Sequence, residues 1–263
     1  MNIVITGASS GIGKVVANYL SQLGHRVIGT SRFVEGSFEN FELLKLDVTS
    51  NNSVQEFMNQ LFEKISQVDV LINNAGYVIS GPIESISMEE AKSQLETNYF
   101  GVVRVTQKFI PHFRMNNNGK IINICSIAGH IGMPFQAHYS ASKFALEGFT
   151  EALRLELYQF NIEVCNINPG DFKTNISANR KLANHIDSVY KSEFDRIIGM
   201  YADEEDNGAD PKQIAQLIAS LLSKKKLKVR YTVGKTSQTM AITFKRIFGA
   251  QIFEFVMKKM WKI

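Results

Sequence analysis

NIVITGASSGIG, from Asn2 to Gly13, decides how this chain folds. Asn2–Thr6 is a short apolar run of the kind found in strands buried on both faces. Glycines follow at 7, 11 and 13, and a helical pattern opens at once. Over Ile12–Leu23, Val15, Val16, Tyr19, Leu20 and Leu23 recur at i, i+3, i+4 spacing, and Gly24 stands where a helix would stop. Strand, glycine turn and helix therefore follow one another without a linker. A helix N-terminus presents free N–H groups and the positive end of a dipole, so it suits a pyrophosphate. Glycines let the backbone approach such a ligand and let the helix pack on its strand. A glycine-rich turn can also be a plain connection; its place after the first strand of a β–α–β unit is what points to a nucleotide.

The alternation continues outward from this unit. HRVIGTS (His25–Ser31) and FELLKLDV (Phe41–Val48) read as the second and third strands. A helix over about Asn52–Ile65 places Val54, Phe57, Met58, Leu61 and Ile65 on one face. VDVLINNAG is a fourth strand, and one long helix is predicted over about Met88–Phe113. KIINICS, the helix carrying HYSASKFALEGF, and IEVCNINPG complete the pattern. Repeated β–α crossovers make a parallel sheet with helices on both faces. The predicted fold is α/β, a doubly wound parallel sheet in a single domain spanning residues 1–263.

The 263 residues, 44% hydrophobic, suffice for one sizeable core. Cys125 and Cys165 lie in apolar strands and read as buried free thiols. The histidines, His25, His112, His130, His138 and His185, have no metal-ligand spacing, so no metal is expected. A strand-like run beginning at Asn2 leaves no room for a signal peptide, and no apolar stretch reaches a membrane span's length, so a cytoplasmic protein is expected. The charge is uneven. Residues 223–263 hold eleven Lys or Arg against one acid, Glu254, a net +10, while residues 1–222 carry −6. Such a basic segment can meet an anionic partner or can be a solvated face. No nucleic-acid motif or stacking array accompanies it.

Two further features carry chemistry. Where the second strand ends, the chain reads Gly29-Thr30-Ser31-Arg32. An acid there would hydrogen-bond the ribose hydroxyls of NAD; a small Ser and an Arg instead favour NADP(H), with Arg32 gripping the 2′-phosphate and NAD(H) as the second choice. A solvated loop arginine is the plain alternative. Tyr139 and Lys143 stand four residues apart on one helical face. A phenol has an ordinary pKa of about 10, and a fixed ammonium nearby favours its ionised form, so the pair is a candidate proton-transfer device. Alone, such a pair is more often a solvated face.

Gly-x-x-x-Gly-x-Gly at 7–13, NNAG at Asn73–Gly76 and YSASK at Tyr139–Lys143 together resemble the short-chain dehydrogenase/reductase family in its roughly 250-residue form. The resemblance runs from Asn2 to about Gly234 and implies a Rossmann-type sheet of about seven parallel strands. It also implies site residues. Gly7, Ser9, Gly11, Ile12 and Gly13 match the coenzyme turn, Asp47 and Val48 the adenine contact, and Asn74, Ala75 and Gly76 the turn beside the adenosine ribose. Pro169, Gly170 and Thr174, in PGDFKT, match the segment that holds the carboxamide. Asn98, Ser126, Tyr139 and Lys143 match the catalytic tetrad. Tyr139 and Lys143 thereby also become coenzyme contacts, and Lys143 is expected to lower the Tyr139 pKa. Asn98 resembles the residue that holds a water relay; by itself it reads as a buried amide satisfying backbone. Phe172 departs from the family's usual Val or Ile.

These features imply an NADP(H)-dependent oxidoreductase acting on a carbonyl or secondary alcohol, and a homo-oligomer. A coenzyme-binding sensor or scaffold without turnover is the alternative. Substrate choice is expected between Gly170 and Pro211, where Ile176, Leu182, Ile186, Val189, Tyr190, Phe194, Ile197, Ile198 and Met200 recur at helical spacing. They either pack on the domain or form a lid, over about 171–210, above an apolar steroid-, retinoid- or acyl-chain-like substrate. Met133, Pro134 and Phe135 could add to that pocket. The basic amphipathic helix predicted over about 243–263 resembles the longer C-terminal regions of the 17β-hydroxysteroid dehydrogenase type 1-like group. It can close the pocket, meet another subunit or lie on a membrane, the last not being the favoured reading.

Overall fold

Apolar runs flanked by turns become the strands of one sheet, and the computed structural model describes them within residues 1–34, 40–173 and 180–262. Strand β1 (Asn2–Ile5) leads through the glycine turn into helix α1 (Gly11–Gln22), which returns the chain to β2 (Arg26–Ser31). After β3 (Glu42–Lys45), helix α2 (Asn51–Lys64) starts at Ser50, whose side chain accepts from Ser53 N and so satisfies one free donor of the first turn. Strand β4 (Val70–Asn73) is buried throughout, as a central parallel strand should be. A two-residue strand, β5 (Ile79–Ser80), stands apart from the main sheet.

The long helix predicted over Met88–Phe113 has an interruption. Helix α3 (Met88–Leu95), opened by a Ser87–Glu90 capping box, passes into a wide π-type turn at Glu96–Phe100 and on into α4 (Gly101–Met115). Gly101 N bonds to Glu96 O, five residues back, so one extra residue is accommodated where Asn98 lies. Strand β6 (Gly119–Ile124), helix α5 (Ala137–Leu157) and strand β7 (Ile162–Pro169) follow. Beyond them come the short β8 (Lys181–Leu182), helices α6 (Ser188–Asp206) and α7 (Lys212–Leu222), and β9 (Arg230–Val233). Helix α8 (Thr236–Trp261) begins earlier than the periodicity predicts, and is broken at Gly249, whose φ of 79° and ψ of 171° suit glycine alone.

The main sheet has seven strands in the order β3-β2-β1-β4-β6-β7-β9, every pair parallel. Helices α1 and α7 cover one face, with Val16 and Leu20 packed beside Ile214, Ile218 and Leu221. Helices α2, α4 and α5 cover the other through Phe57, Leu61, Phe109, Phe113 and Leu153. Each fully buried side chain of this size contributes about 1.5–3 kcal/mol. Strands β5 and β8 form a separate parallel pair, where Ile79, Ile86 and Ala183 make a satellite cluster.

Strand order reverses between β1 and β4, which opens a crevice at their C-terminal ends. Beneath it the sheet interior is polar. Asn73, Asn123 and Asn166 share one register line across β4, β6 and β7. Asn73 Nδ2 donates to Asn123 Oδ1 (2.8 Å), Asn123 Nδ2 to Thr150 Oγ1 (2.9 Å), and Thr150 Oγ1 to Asn166 Oδ1 (2.7 Å). These amides join three strands to α5, the helix that carries Tyr139, because buried polar groups cost stability unless paired.

Candidate active site

A cleft of about 430 Å³ lies over the crevice, and one end of it is the glycine turn. Gly7 and Gly11 have φ of 67° and 54°, left-handed values that glycine adopts without strain. A Cβ on Gly13 would overlap the Gly7 carbonyl oxygen and stand 2.5 Å from Asn74 Nδ2. Helix α1 thus enters closer to β1 than any side chain permits. Ser10 at its N-cap makes no side-chain capping bond, so the first-turn N–H groups are left for a ligand. Ser9 Oγ accepts from Ser31 Oγ at 3.1 Å, and Ile12 packs on the core below. Together they form a cradle that backbone and small side chains alone could line, which fits a dinucleotide pyrophosphate.

The predicted coenzyme residues gather around this cradle. Asn74 Nδ2 donates to Thr6 O (3.0 Å) and Gly7 O (2.8 Å), while the N–H groups of Asn74 and Ala75 donate to Thr6 Oγ1 at 2.9 and 3.0 Å. Gly76 also lines the cleft. Asp47 Oδ1 accepts from Thr49 N at 2.9 Å, and buried Val48 sits beside it, both on the cleft wall. Arg32 is exposed at the end of β2, with its guanidinium 5.9 Å from the Phe33 ring centroid; among the described residues no ion pair holds it. Pro169 and Gly170 close the far wall at the end of β7. Thr174 lies outside the described residues, as does Ile176 of the insert.

Ser126, Tyr139 and Lys143 meet at the same end of the cleft as Gly170. Ser126 caps a short helical turn, its Oγ accepting from Ala128 N at 3.1 Å, so its own proton is free to be donated. It hydrogen-bonds the Tyr139 phenol. Lys143 is buried, and its Nζ donates to Ile124 O at 2.9 Å. Burial lowers its pKa.

The expected lowering of the Tyr139 pKa does not occur. Burial pushes that phenol up to about 12, against a smaller opposing effect of the Ser126 hydroxyl. The reason is geometric: the ammonium of Lys143 is turned to the Ile124 carbonyl and lies 5.7 Å from the centre of the Tyr139 ring. Tyr139 is therefore held in its neutral, proton-carrying form.

Asn98 is buried behind the cleft and is not part of its wall. Its Oδ1 accepts from Tyr77 N (3.0 Å), and its Nδ2 donates to Tyr77 O (3.0 Å) and Ser142 Oγ (3.2 Å). Ser142 Oγ in turn donates to Tyr139 O at 2.7 Å. The side chain thus braces the loop after β4 against the helix turn of Tyr139, as the plain reading of a buried amide predicts.

Several residues that support or line the cleft escape sequence reasoning. Thr6 supplies the acceptor for two consecutive N–H groups, a role its position just before the turn could have suggested. Arg104 binds Asn51 Oδ1 (2.6 Å), Val48 O (2.7 Å) and Glu96 Oε1 (2.6 Å), partners from three separate segments that no local pattern connects. Gln238 of α8 occupies the space beside Gly170, and its Oε1 accepts from Asp171 N at 3.0 Å. Among the described residues of the insert, those that meet the cleft are Asp171, Phe172, Arg180, Tyr201 and Glu205. Arg180 and Glu205 form an ion pair with both side chains nearly buried, and burial raises the Glu205 carboxyl to about 7. Of the insert's apolar residues, Phe194 and Ile197 are buried, while Leu182 and Val189 are exposed. Tyr190 and Phe194 pack edge-on against Phe135. Phe172 is a buried member of the main core.

Residues 1–185 match the family described as short chain dehydrogenase. The chain is 42% identical over 240 residues to a 3-ketodihydrosphingosine reductase of Bacteroides thetaiotaomicron, covering 90% of this chain and 89% of the relative. It superimposes on a short-chain dehydrogenase from Streptomyces avermitilis with a TM-score of 0.83 and 27% identity, over 99% of this chain and 95% of that one. A serine dehydrogenase complexed with NADP+ matches with a TM-score of 0.77 and 25% identity, over 90% and 96% of the two chains. The protein belongs to the short-chain dehydrogenase/reductase family and is an oxidoreductase acting on CH–OH or C=O groups.

Thr6→Val keeps the shape of the side chain but removes the acceptor for Asn74 N and Ala75 N. The variant is expected to lose about 1–2 kcal/mol of stability, from two half-buried donors left without their acceptor, measured by urea unfolding. An unchanged midpoint and slope would show that Thr6 does not hold the turn.

Proposed function

We propose that the protein is an NADP(H)-dependent reductase of a long-chain ketone of the 3-ketodihydrosphingosine kind. The observation that carries this reading is that Ser126, Tyr139 and Lys143 line the same cleft as the glycine cradle. The 42% identical relative supports the substrate class.

The residues divide the work by position. Gly7, Ser9, Gly11, Ile12 and Gly13 would hold the pyrophosphate, Asp47 and Val48 the adenine, Asn74, Ala75 and Gly76 the adenosine ribose, and Pro169, Gly170 and Thr174 the carboxamide. Arg32 would pair with a 2′-phosphate, favouring NADP(H) over NAD(H). When bound, the reduced coenzyme supplies hydride to the substrate carbon. Tyr139, neutral at physiological pH, donates its phenolic proton to the carbonyl oxygen as that oxygen gains charge. Ser126 orients the same oxygen through its free proton. Buried Lys143 would hold the ribose side of the site. Asn98 acts as a positioning residue, since it reaches Tyr139 through Ser142. A phenol that keeps its proton is in the form required of the acid in ketone reduction.

The substrate end is not wholly apolar, which refines the expectation of a steroid- or acyl-like ligand. Met133 and Ile127 line it together with Asp171, Arg180 and Glu205. A 3-ketodihydrosphingosine has a ketone next to an amino and a hydroxyl group and carries one long alkyl chain. Its head matches the carboxylates and its chain the apolar wall.

Tyr139→Phe should lower kcat for ketone reduction by at least about 100-fold while leaving NADPH binding nearly unchanged, as measured by stopped-flow turnover and fluorescence titration. Retained kcat would refute the role of Tyr139. Coenzyme binding with no turnover on any carbonyl would favour a sensor.

Arg32→Ala should weaken NADPH by about 10–100-fold and leave NADH almost unaffected, since one charge-assisted phosphate contact is lost. Equal kcat/KM for the two coenzymes in the parent, unchanged in the variant, would remove Arg32 from coenzyme choice.

A further inference from the structure

Helix α8 has two apolar faces beyond Gly249, and only one of them is used by the fold. Phe253, Met257 and Trp261, four residues apart, are buried against Ile131, Ile197 and Tyr201. On the remaining side Ile252, Phe255, Val256 and Met260 are 40–59% exposed. Ile247 and Phe248, just before the break, add a further 68% and 50% exposed. A run of large apolar side chains this exposed marks an interaction surface rather than ordinary scatter.

We propose that this outer face of α8 seats the protein on the surface of an anionic lipid bilayer. Charge selects the occupant. Arg246, Lys258, Lys259 and Lys262 are exposed on the same helix, Lys258 paired with Glu254 at 2.7 Å, within a segment of net +10. The Lys259 ammonium lies over the exposed Phe255 ring, 4.5 Å from its centroid, so positive charge and apolar surface are presented together. Basic rims around exposed apolar side chains are what an interfacial helix presents to acidic headgroups. A second copy of the chain is the poorer occupant, because a two-fold contact would set this basic segment against itself. Among the described residues no helix is long and apolar enough to cross a membrane, and Gly249 breaks this one, so α8 lies along the surface.

The seat has a functional consequence. Tyr201 is packed by α8 on one side and lines the cleft on the other. A docked α8 therefore holds the substrate end of the cleft near the bilayer. Delivery of a long-chain ketone by this route rests on the function proposed above, whereas the docking itself does not.

The test is co-sedimentation of the full chain with phosphatidylcholine vesicles, with and without one-third phosphatidylglycerol. The wild type is expected to sediment with the anionic vesicles at low salt, to be released by high salt, and to ignore pure phosphatidylcholine. Ile252→Asp/Phe255→Asp and, separately, Lys258→Glu/Lys259→Glu should each weaken binding at least tenfold. Both variants should reduce a water-soluble short-chain ketone as fast as the wild type, which also reports that they are folded. Failure of the wild type to bind anionic vesicles at low salt overturns the proposal. So does a wild-type dimer that Ile252→Asp/Phe255→Asp converts to monomer, which would assign the face to a second copy. Absence of short-chain turnover in every form would count against the reductase reading while leaving the vesicle result to stand by itself.

Discussion

Asn74 reaches across the sheet to the carbonyls of Thr6 and Gly7, and the rest of the site depends on that contact. It clamps the ends of β1 and β4 together at the point where strand order reverses. Gly13 must then be glycine, since a Cβ would collide with both the Gly7 carbonyl and the Asn74 amide. The helix so admitted brings uncapped N–H groups to the cleft floor. One close approach thus fixes the crevice, the cradle and the entry of α1.

The Ser126–Tyr139–Lys143 cluster is held by a different device. Buried amides tie β4, β6 and β7 to α5, and Asn98 ties α5 to the loop after β4. Hydrogen bonds inside a sheet of apolar side chains are costly to break, so α5 has little freedom to shift Tyr139 or Lys143. The same burial that fixes these groups sets their charge state. It holds the Tyr139 phenol neutral and disfavours the Lys143 ammonium, which is hydrogen-bonded to Ile124 O.

Periodicity located the sheet and the helices of its two faces because apolar spacing is a local property. It placed β1, β4, β6 and β7 within a few residues, since their apolar runs end at turns. It missed the widened turn at Asn98, because one extra residue in a helix leaves the apolar spacing almost intact. It also missed the break at Gly249, where the helical pattern continues on both sides of a single glycine. The residues of the cradle and the Ser126–Tyr139–Lys143 cluster were legible as motifs. Thr6, Arg104, Gln238 and the Arg180–Glu205 pair were not, because each acts through partners distant in sequence. The insert shows the limit most clearly. Its aliphatic residues dominate the pattern, but among the described residues those that meet the cleft are Asp171, Phe172, Arg180, Tyr201 and Glu205.

In the proposed reaction, hydride and proton would reach one carbonyl from two sides, with neutral Tyr139 as the acid. The most direct measurement is product analysis by mass spectrometry after incubation with 3-ketodihydrosphingosine and NADPH carrying deuterium at the reactive C4 position. The account predicts one deuterium on the new carbinol carbon and none elsewhere. An alcohol product without that deuterium, or no alcohol at all, would contradict it.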